Sequence, residues 1–264
     1  MATILVQGSG DIGSAVTHVL FTAGHAVVLQ DAPCPAHTHR AMAFTDALYE
    51  GRAELDGLLA KRLPSAESLP LMLRCHRAVP VCTEPVEVLL PALRPDVVID
   101  ARMRKRSFPD RLKGAAPLTI GLGPNFEAGS NVDWAVETAW GDSLGKVLRQ
   151  GSTQDLAGEP RLITGVGRER FVYAPVAGIF TTELVLGHRI EAGQRVGAIG
   201  ETEIRAPLAG FIRGLSHTGS SVEVGAKILE LDSREVAGPW QGLGERPRRI
   251  AEAIATELGA ELPQ

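Results

Sequence analysis

The 264-residue chain is predicted to be an α/β protein: a Rossmann-like parallel-sheet domain followed by an all-β module. Three observations predict this. A strand–helix–strand unit turns through Gly8-Ser9-Gly10-Asp11-Ile12-Gly13, later apolar strands end in Asp100 and in a second glycine-rich loop, and the second half repeats itself at an offset of 32 residues. The composition, 44% hydrophobic and 22% charged with a net charge of −4, suits a globular chain. It argues against general nucleic-acid binding, which runs on surplus Lys and Arg. No stretch approaches the roughly 20 apolar residues of a membrane span. The start lacks the basic and small-residue pattern of a secretory signal. Cys34, Cys75 and Cys82 have neither disulfide nor zinc-site spacing. A cytoplasmic location with no membrane or nucleic-acid partner is expected.

The elements follow in order. Thr3–Gln7 is an apolar strand, and Val16, Val19, Leu20 and Ala23 recur at helical spacing up to Gly24, a C-terminal stop. A second strand, 26–30, ends at Asp31, 18 positions after Gly13. In a dinucleotide site the glycines admit a pyrophosphate to the helix N-terminus and the terminal acid holds a ribose hydroxyl. Asp11 opposes that reading, because a carboxylate inside the turn repels phosphate; alternatively it complements the positive helix terminus. Residues 36–80 read as an insertion with a helix near 40–49. A strand at 78–82, a helix at 87–93 and strands at 96–100 and 118–121 then restore the α/β order. Residues 130–147 read as a helix carrying Glu137 and Asp142.

Strand ends at Asp100 and at Gly121-Leu122-Gly123-Pro124-Asn125 bring those residues to the carboxyl edge of a parallel sheet, where open α/β folds bind ligands. Arg102, Arg104, Lys105 and Arg106 follow Asp100 and suit an anion. The expected ligand-binding set is Gly8, Ser9, Gly10, Asp11, Ile12, Gly13, Asp31, Asp100, Arg102, Lys105, Gly121, Gly123 and Asn125. No catalytic residue is identifiable. His37 and His39 are spaced like metal ligands, but no third ligand accompanies them, so no metal is expected.

In the second half, Tyr173-Ala174-Pro175-Val176-Ala177-Gly178-Ile179-Phe180 is echoed by Arg205-Ala206-Pro207-Leu208-Ala209-Gly210-Phe211-Ile212, and residues 187–199 match 219–231 at the same offset. This resembles the barrel-sandwich hybrid of biotinyl and lipoyl domains, two half-motifs wrapped together. Their carrier lysine sits on the hairpin joining the halves. Here that hairpin, Gly200-Glu201-Thr202-Glu203-Ile204, contains none, so neither biotin nor lipoate is expected to be attached. The expected organisation is a Rossmann-like domain over 1–150, a linker over 151–171, the duplicated module over 172–232, and a tail over 233–264 whose helix, 248–258, docks on the first domain.

Taken together, VQGSGDIGSAVTHVLFTAGHAVV, AMAFTDALYEG, RPDVVIDARMRKR, APLTIGLGPNFEAG, VETAWGDSLGKV and YAPVAGIF with its repeat resemble a family of accessory proteins for selenium-dependent molybdenum hydroxylases. The N-terminal part is similar, more loosely, to the Rossmann domain of xanthine dehydrogenase accessory proteins. The resemblance implies an accessory or maturation role for a client molybdenum hydroxylase. The ligand would be phosphate-bearing, either the molybdenum cofactor or a nucleotide such as NAD. An NAD-dependent oxidoreductase and a non-catalytic binding scaffold remain open as alternatives, as does homo-oligomer formation.

Overall fold

A computed structural model describes the chain apart from residues 105–108, 156–159, 161 and 262–264. Its centre is a nine-stranded sheet. The strands are β1 (Thr3–Gln7), β2 (Ala26–Gln30), β3 (Arg52–Leu55), β4 (Leu58–Arg62), β5 (Val79–Cys82), β6 (Val97–Asp100), β7 (Leu118–Leu122), and, beyond a short strand β8 (Glu127–Ala128), β9 (Trp134–Val136) and β10 (Val147–Leu148). Their order is β10-β9-β7-β6-β1-β2-β5-β4-β3. From β9 to β4 all pairings are parallel, and β10 and β3 add antiparallel edges. β8 pairs separately with β11 (Gly151–Ser152).

The central strands are apolar along their whole length because helices cover both faces. Alternate residues divide between them. Ile4, Val6, Val27, Leu29, Val97 and Ile99 share a core with α1 (Asp11–Thr22) and α5 (Glu245–Glu261). Leu5, Val28 and Val98 share another with Leu69 of α3 (Leu69–Cys75) and Leu89 of α4 (Val86–Leu93). Helix α1 ends where the sequence predicts, with Gly24 in the left-handed region at φ 91°. Helix α5 docks on α1 through Ile250, Ala251, Ile254 and Leu258, all fully buried.

The second half forms two four-stranded antiparallel sheets. One has the order β12-β19-β17-β14, from β12 (Phe171–Tyr173), β14 (Arg189–Ile190), β17 (Gly210–Leu215) and β19 (Lys227–Asp232). The other has the order β16-β15-β13-β18, from β13 (Gly178–Thr181), β15 (Arg195–Ile199), β16 (Thr202–Arg205) and β18 (Ser220–Val222). The 32-residue repeat maps β12 to β16, β13 to β17, β14 to β18 and β15 to β19. Each repeat therefore lends two strands to the other's sheet, and neither can close a core alone.

Several expectations are corrected. A Rossmann-like parallel sheet joined to an all-β barrel-sandwich hybrid module is replaced by a mixed α/β fold built on one large sheet. The insertion after Asp31 is the reason on one side: its hairpin, β3–β4, extends the sheet past β5. On the other side, residues 130–147 are not helical. Trp134 and Val136 are bulky and buried, Ala135 is buried between them as the strand pairs with β7, and Gly141 and Gly145 take positive φ, so the segment is not helical. The expected helix over 40–49 is a single 3-10 turn at Arg40–Met42 and one helical turn, α2 (Ala47–Glu50), stopped by Gly51 at φ 78°. Among the described residues no helix is long and apolar enough to cross a membrane.

Because Ile254 is fully buried between α5 and α1, Ile254→Ala is expected to lower stability by about 2–4 kcal/mol in urea unfolding. The exposed Glu252→Ala should change it by under about 0.5 kcal/mol.

Candidate functional site

Strand β1 lies between β2 and β6, and the chain runs from it to opposite sides of the sheet. The crevice outside the carboxyl ends of β1 and β6 is therefore the topological switch point. Gly8 leaves β1 at φ 101°, and a Cβ there would lie 2.9 Å from the backbone of Ala101 and Arg102. A Cβ on Gly13 would collide with the Gly8 carbonyl oxygen. These two glycines are required by the packing of the turn against β6, whatever ligand is bound.

The groups a dinucleotide would use at this turn are engaged within the chain. Asp31 Oδ2 accepts from the Ser9 amide at 2.6 Å and the Ser9 hydroxyl at 2.8 Å, and meets His37 Nε2 at 2.9 Å. Its Oδ1 accepts from the Ala32 amide at 2.7 Å. A ribose hydroxyl would have to displace these partners. Burial pushes the Asp31 carboxyl up, but the hydrogen bond and charge of His37 and the Ser9 donors outweigh burial and hold it below the usual range. In turn, burial pulls His37 down and the Asp31 carboxylate more than reverses that, so the imidazole sits above its ordinary value. Asp11 Oδ1 accepts from the Ile12 amide at 2.9 Å, and Oδ2 meets His39 Nδ1 at 3.2 Å. Burial raises Asp11, yet its bond to His39, the His39 charge, Arg246 and Lys227 together hold it well below the carboxylate range. Two carboxylates thus complement the positive end of α1, and Ile12 points into the core.

At the end of β6, the buried Asp100 accepts from the Arg102 amide and Nε, both at 3.0 Å, and from Nη2 at 2.6 Å. Arg104 adds a contact at 3.4 Å and two bonds to Asp110 at 3.1 Å. Burial lowers Arg102, but the Asp100 hydrogen bonds and charge raise it further than burial lowers it. Lys105 and Arg106 lie outside the described residues. The second glycine-rich loop is shaped by packing. A Cβ on Gly121 would strike the Phe126 ring, and one on Gly123 would lie 3.1 Å from Met103. The Gly123 carbonyl accepts from Thr153 Oγ1 at 2.7 Å, and Asn125 takes φ 71°. Glu137 is buried and accepts from the amides of Thr138, Ala139 and Gln154, each at 2.7 Å, so it organises its own loop.

One cavity lies on the α4 face. It has a volume of about 200 Å³ and is lined by Gln7, Val86, Glu87, Leu90, Arg102, Asp110, Arg111, Leu112 and Ala115. Gln7 pairs in register with Asp100, and alternation along β1 puts its side chain on the same face as Leu5. It is 1% exposed, and its Oε1 has no hydrogen-bond partner within the described structure. Of the described residues in the predicted set, only Arg102 lines this cavity. Gln7 escaped sequence reasoning, although a polar residue closing an apolar strand at the carboxyl edge was a usable signal.

No family profile matches the chain. It is 33% identical over 255 residues to "Uncharacterized protein YqeB" of Escherichia coli (strain K12), a match covering 97% of this chain and 47% of YqeB. The chain thus spans about half the length of that curated relative. Among solved structures it is similar to the product-bound ectoine utilization protein EutE (DoeB) of Ruegeria pomeroyi, with a TM-score of 0.27 and 14% identity over 88% of this chain and 85% of that one. It is also similar to the succinylglutamate desuccinylase/aspartoacylase of Rhodobacter sphaeroides, with a TM-score of 0.26 and 13% identity over 87% and 85% of the two chains. None of these matches supplies evidence for a molybdenum-hydroxylase accessory protein or a biotinyl or lipoyl carrier. The family expected from the sequence, and the maturation role it implied, are set aside. Overlap at these TM-scores transfers no activity or substrate to this chain.

The Asp31–His37 pair predicts a pH window. The contribution of Asp31 is present above the ordinary carboxylate value and lost as pH falls through its lowered folded value. That of His37 is present below the ordinary imidazole value and lost as pH rises through its raised folded value. The stability lost in Asp31→Asn, about 1.5–3 kcal/mol, should therefore peak between about pH 4 and 6.5 in urea unfolding and shrink on either side.

Proposed function

We propose that the protein binds a compact anionic small molecule in the cavity between α4 and the carboxyl ends of β1 and β6. The observation that carries this reading is Gln7, a fully buried residue that lines the cavity and whose side-chain carbonyl oxygen has no partner within the described structure. Leaving such a group unpaired costs about 1–3 kcal/mol, and a ligand N–H or O–H would satisfy it. Arg102 uses Nε and Nη2 on Asp100, so the other edge of its guanidinium is the one a ligand would meet, with Arg111 beside it. Glu87 and Asp110 balance these cations and favour a ligand of one or two negative charges over a polyanion. Val86, Leu90, Leu112 and Ala115 supply an apolar floor.

At about 200 Å³ the cavity is smaller than the roughly 300–1,000 Å³ of typical ligand pockets. That size suits a compact phosphate- or carboxylate-bearing metabolite. A whole dinucleotide laid along Gly8–Gly13 would compete with Asp11 and His37.

The test is mass spectrometry of small molecules retained by native protein, followed by calorimetry with inorganic phosphate, a nucleoside monophosphate and a dicarboxylate as probes. Binding of at least one class is expected, weakened tenfold or more (about 1.4 kcal/mol) by Arg111→Ala. Gln7→Leu should also lose binding while raising stability by about 1 kcal/mol, since it removes an unpaired buried carbonyl. No retained compound together with no heat of binding from any probe would overturn the reading.

A further inference from the structure

The segment from Cys34 to Glu50 forms the junction between the two halves. Leu215 and Ser221 donate backbone amides to the Thr38 and Cys34 carbonyls at 2.7 and 3.2 Å, and Arg40 Nε donates to the Leu215 carbonyl at 2.9 Å. This path lays His37 over the glycine-rich turn. Its Nε2 meets Asp31 Oδ2 at 2.9 Å. That oxygen already accepts from the Ser9 amide and hydroxyl, and Asp31 Oδ1 accepts from the Ala32 amide. The carboxylate is therefore an acceptor with no proton to give, so the hydrogen of the His37–Asp31 bond belongs to Nε2. A neutral His37 then has its lone pair on Nδ1.

Among the described residues Nδ1 has no hydrogen-bond partner, and the side chain is 30% exposed. Below it stands Gly10, where a Cβ would lie 3.2 Å from Nδ1. Gly10 has φ −65° and ψ −179°, a conformation open to any residue. Its missing side chain therefore answers to no demand of its own backbone, and it leaves Nδ1 uncovered. Two carboxylates favour a proton there. Burial lowers the imidazole, but the hydrogen bond and charge of Asp31 and the charge of Asp11 raise it further. His39, Arg246 of α5 and Lys227 of β19 supply the opposite charge around Asp11. Arg246 Nε donates to the Thr138 carbonyl at 2.7 Å, and its two Nη groups make no hydrogen bond among the described residues.

An imidazole oriented by a buried carboxylate, with its basic nitrogen uncovered, is the arrangement of general-base catalysis. A proton taken from water or a hydroxyl would need a second reactant for the oxygen to attack. Proton transfer at carbon needs one substrate. We propose that His37 is a general base, with Asp31 as its positioning residue, for proton transfer at the carbon next to the carbonyl of a small ketone. Nδ1 takes the proton, the C–H electron pair moves into the enolate, and the imidazolium returns a proton to carbon, so nothing is oxidised or reduced. The free Nη groups of Arg246 are the donors for the developing oxyanion. This site uses the α1 face of the sheet and is separate from the cavity beside α4.

The test is deuterium incorporation from D₂O into acetone, dihydroxyacetone and pyruvate, followed by proton NMR with the whole chain present. Incorporation into at least one probe is expected above the rate with an equal concentration of imidazole, rising with pH as Nδ1 loses its proton. His37→Gln should lower it by about 100-fold or more. Gly10→Ala, which covers Nδ1 and leaves Asp31 in place, should lower it too. Asp31→Asn should move the midpoint of the pH profile to lower pH, because it removes the charge that raises His37. No incorporation into any of the three probes, or a His37→Gln variant as active as the wild type, would overturn the proposal. Ring ¹⁵N shifts of the wild type decide independently of any variant: a neutral His37 with its hydrogen on Nδ1 rules out the base.

Discussion

The N-terminus of α1 organises much of this molecule. Its exposed amides and aligned dipole need negative charge, and the chain supplies it with Asp11 and Asp31. Each carboxylate in turn needs a cation or donor once the site is covered. His37 meets Asp31 and His39 meets Asp11, which draws the segment after β2 across the turn. His39 then reaches Glu230, and through Glu230 the cations Arg213 and Lys227, so one helix terminus is linked through alternating charges to the far half. The same terminus faces Arg246 near the start of α5, whose apolar stripe buries α1.

This self-sufficiency changes what the glycine-rich turn can mean. Gly8 and Gly13 are demanded by the close approach of the turn to β6 and to itself. Such a turn satisfies a nucleotide-binding pattern in sequence while its donors serve the chain's own carboxylates. On the opposite face, beside Arg102, lies one buried group without a partner within the described structure, the Gln7 side-chain carbonyl. Both faces belong to the same switch point, because β1 delivers Gly8 to one side of the sheet and Gln7 to the other.

Local pattern made some elements legible. The apolar runs of β1, β2 and β6 and the stop at Gly24 stand where periodicity and turn chemistry place them. The 32-residue repeat anticipates the correspondence of β13 with β17 and of β15 with β19. Other elements were misread because the deciding partner is distant. Trp134–Val136 is a strand because β7 is beside it, and the segment near Arg40 makes only short turns because its residues serve the junction with β17. Of the described residues that the sequence singled out, Arg102 lines the cavity proposed as the site. Nothing local reveals that His37 and His39 fold back onto Asp31 and Asp11.

The amino-acid sequence by itself determined the strand–turn–helix opening, the helix stripe of α5, the internal repeat and the lysine-free hairpin. Each is set by spacing, backbone preference or residue type within a few turns of chain. Only the tertiary structure decided the mixed nine-stranded sheet, the pairing of Asp31 with His37 and of His39 with Glu230, and the isolation of Gln7. Those depend on contacts between residues far apart in the chain, where burial strengthens every unmet charge or hydrogen bond and long-range packing determines which partner meets it.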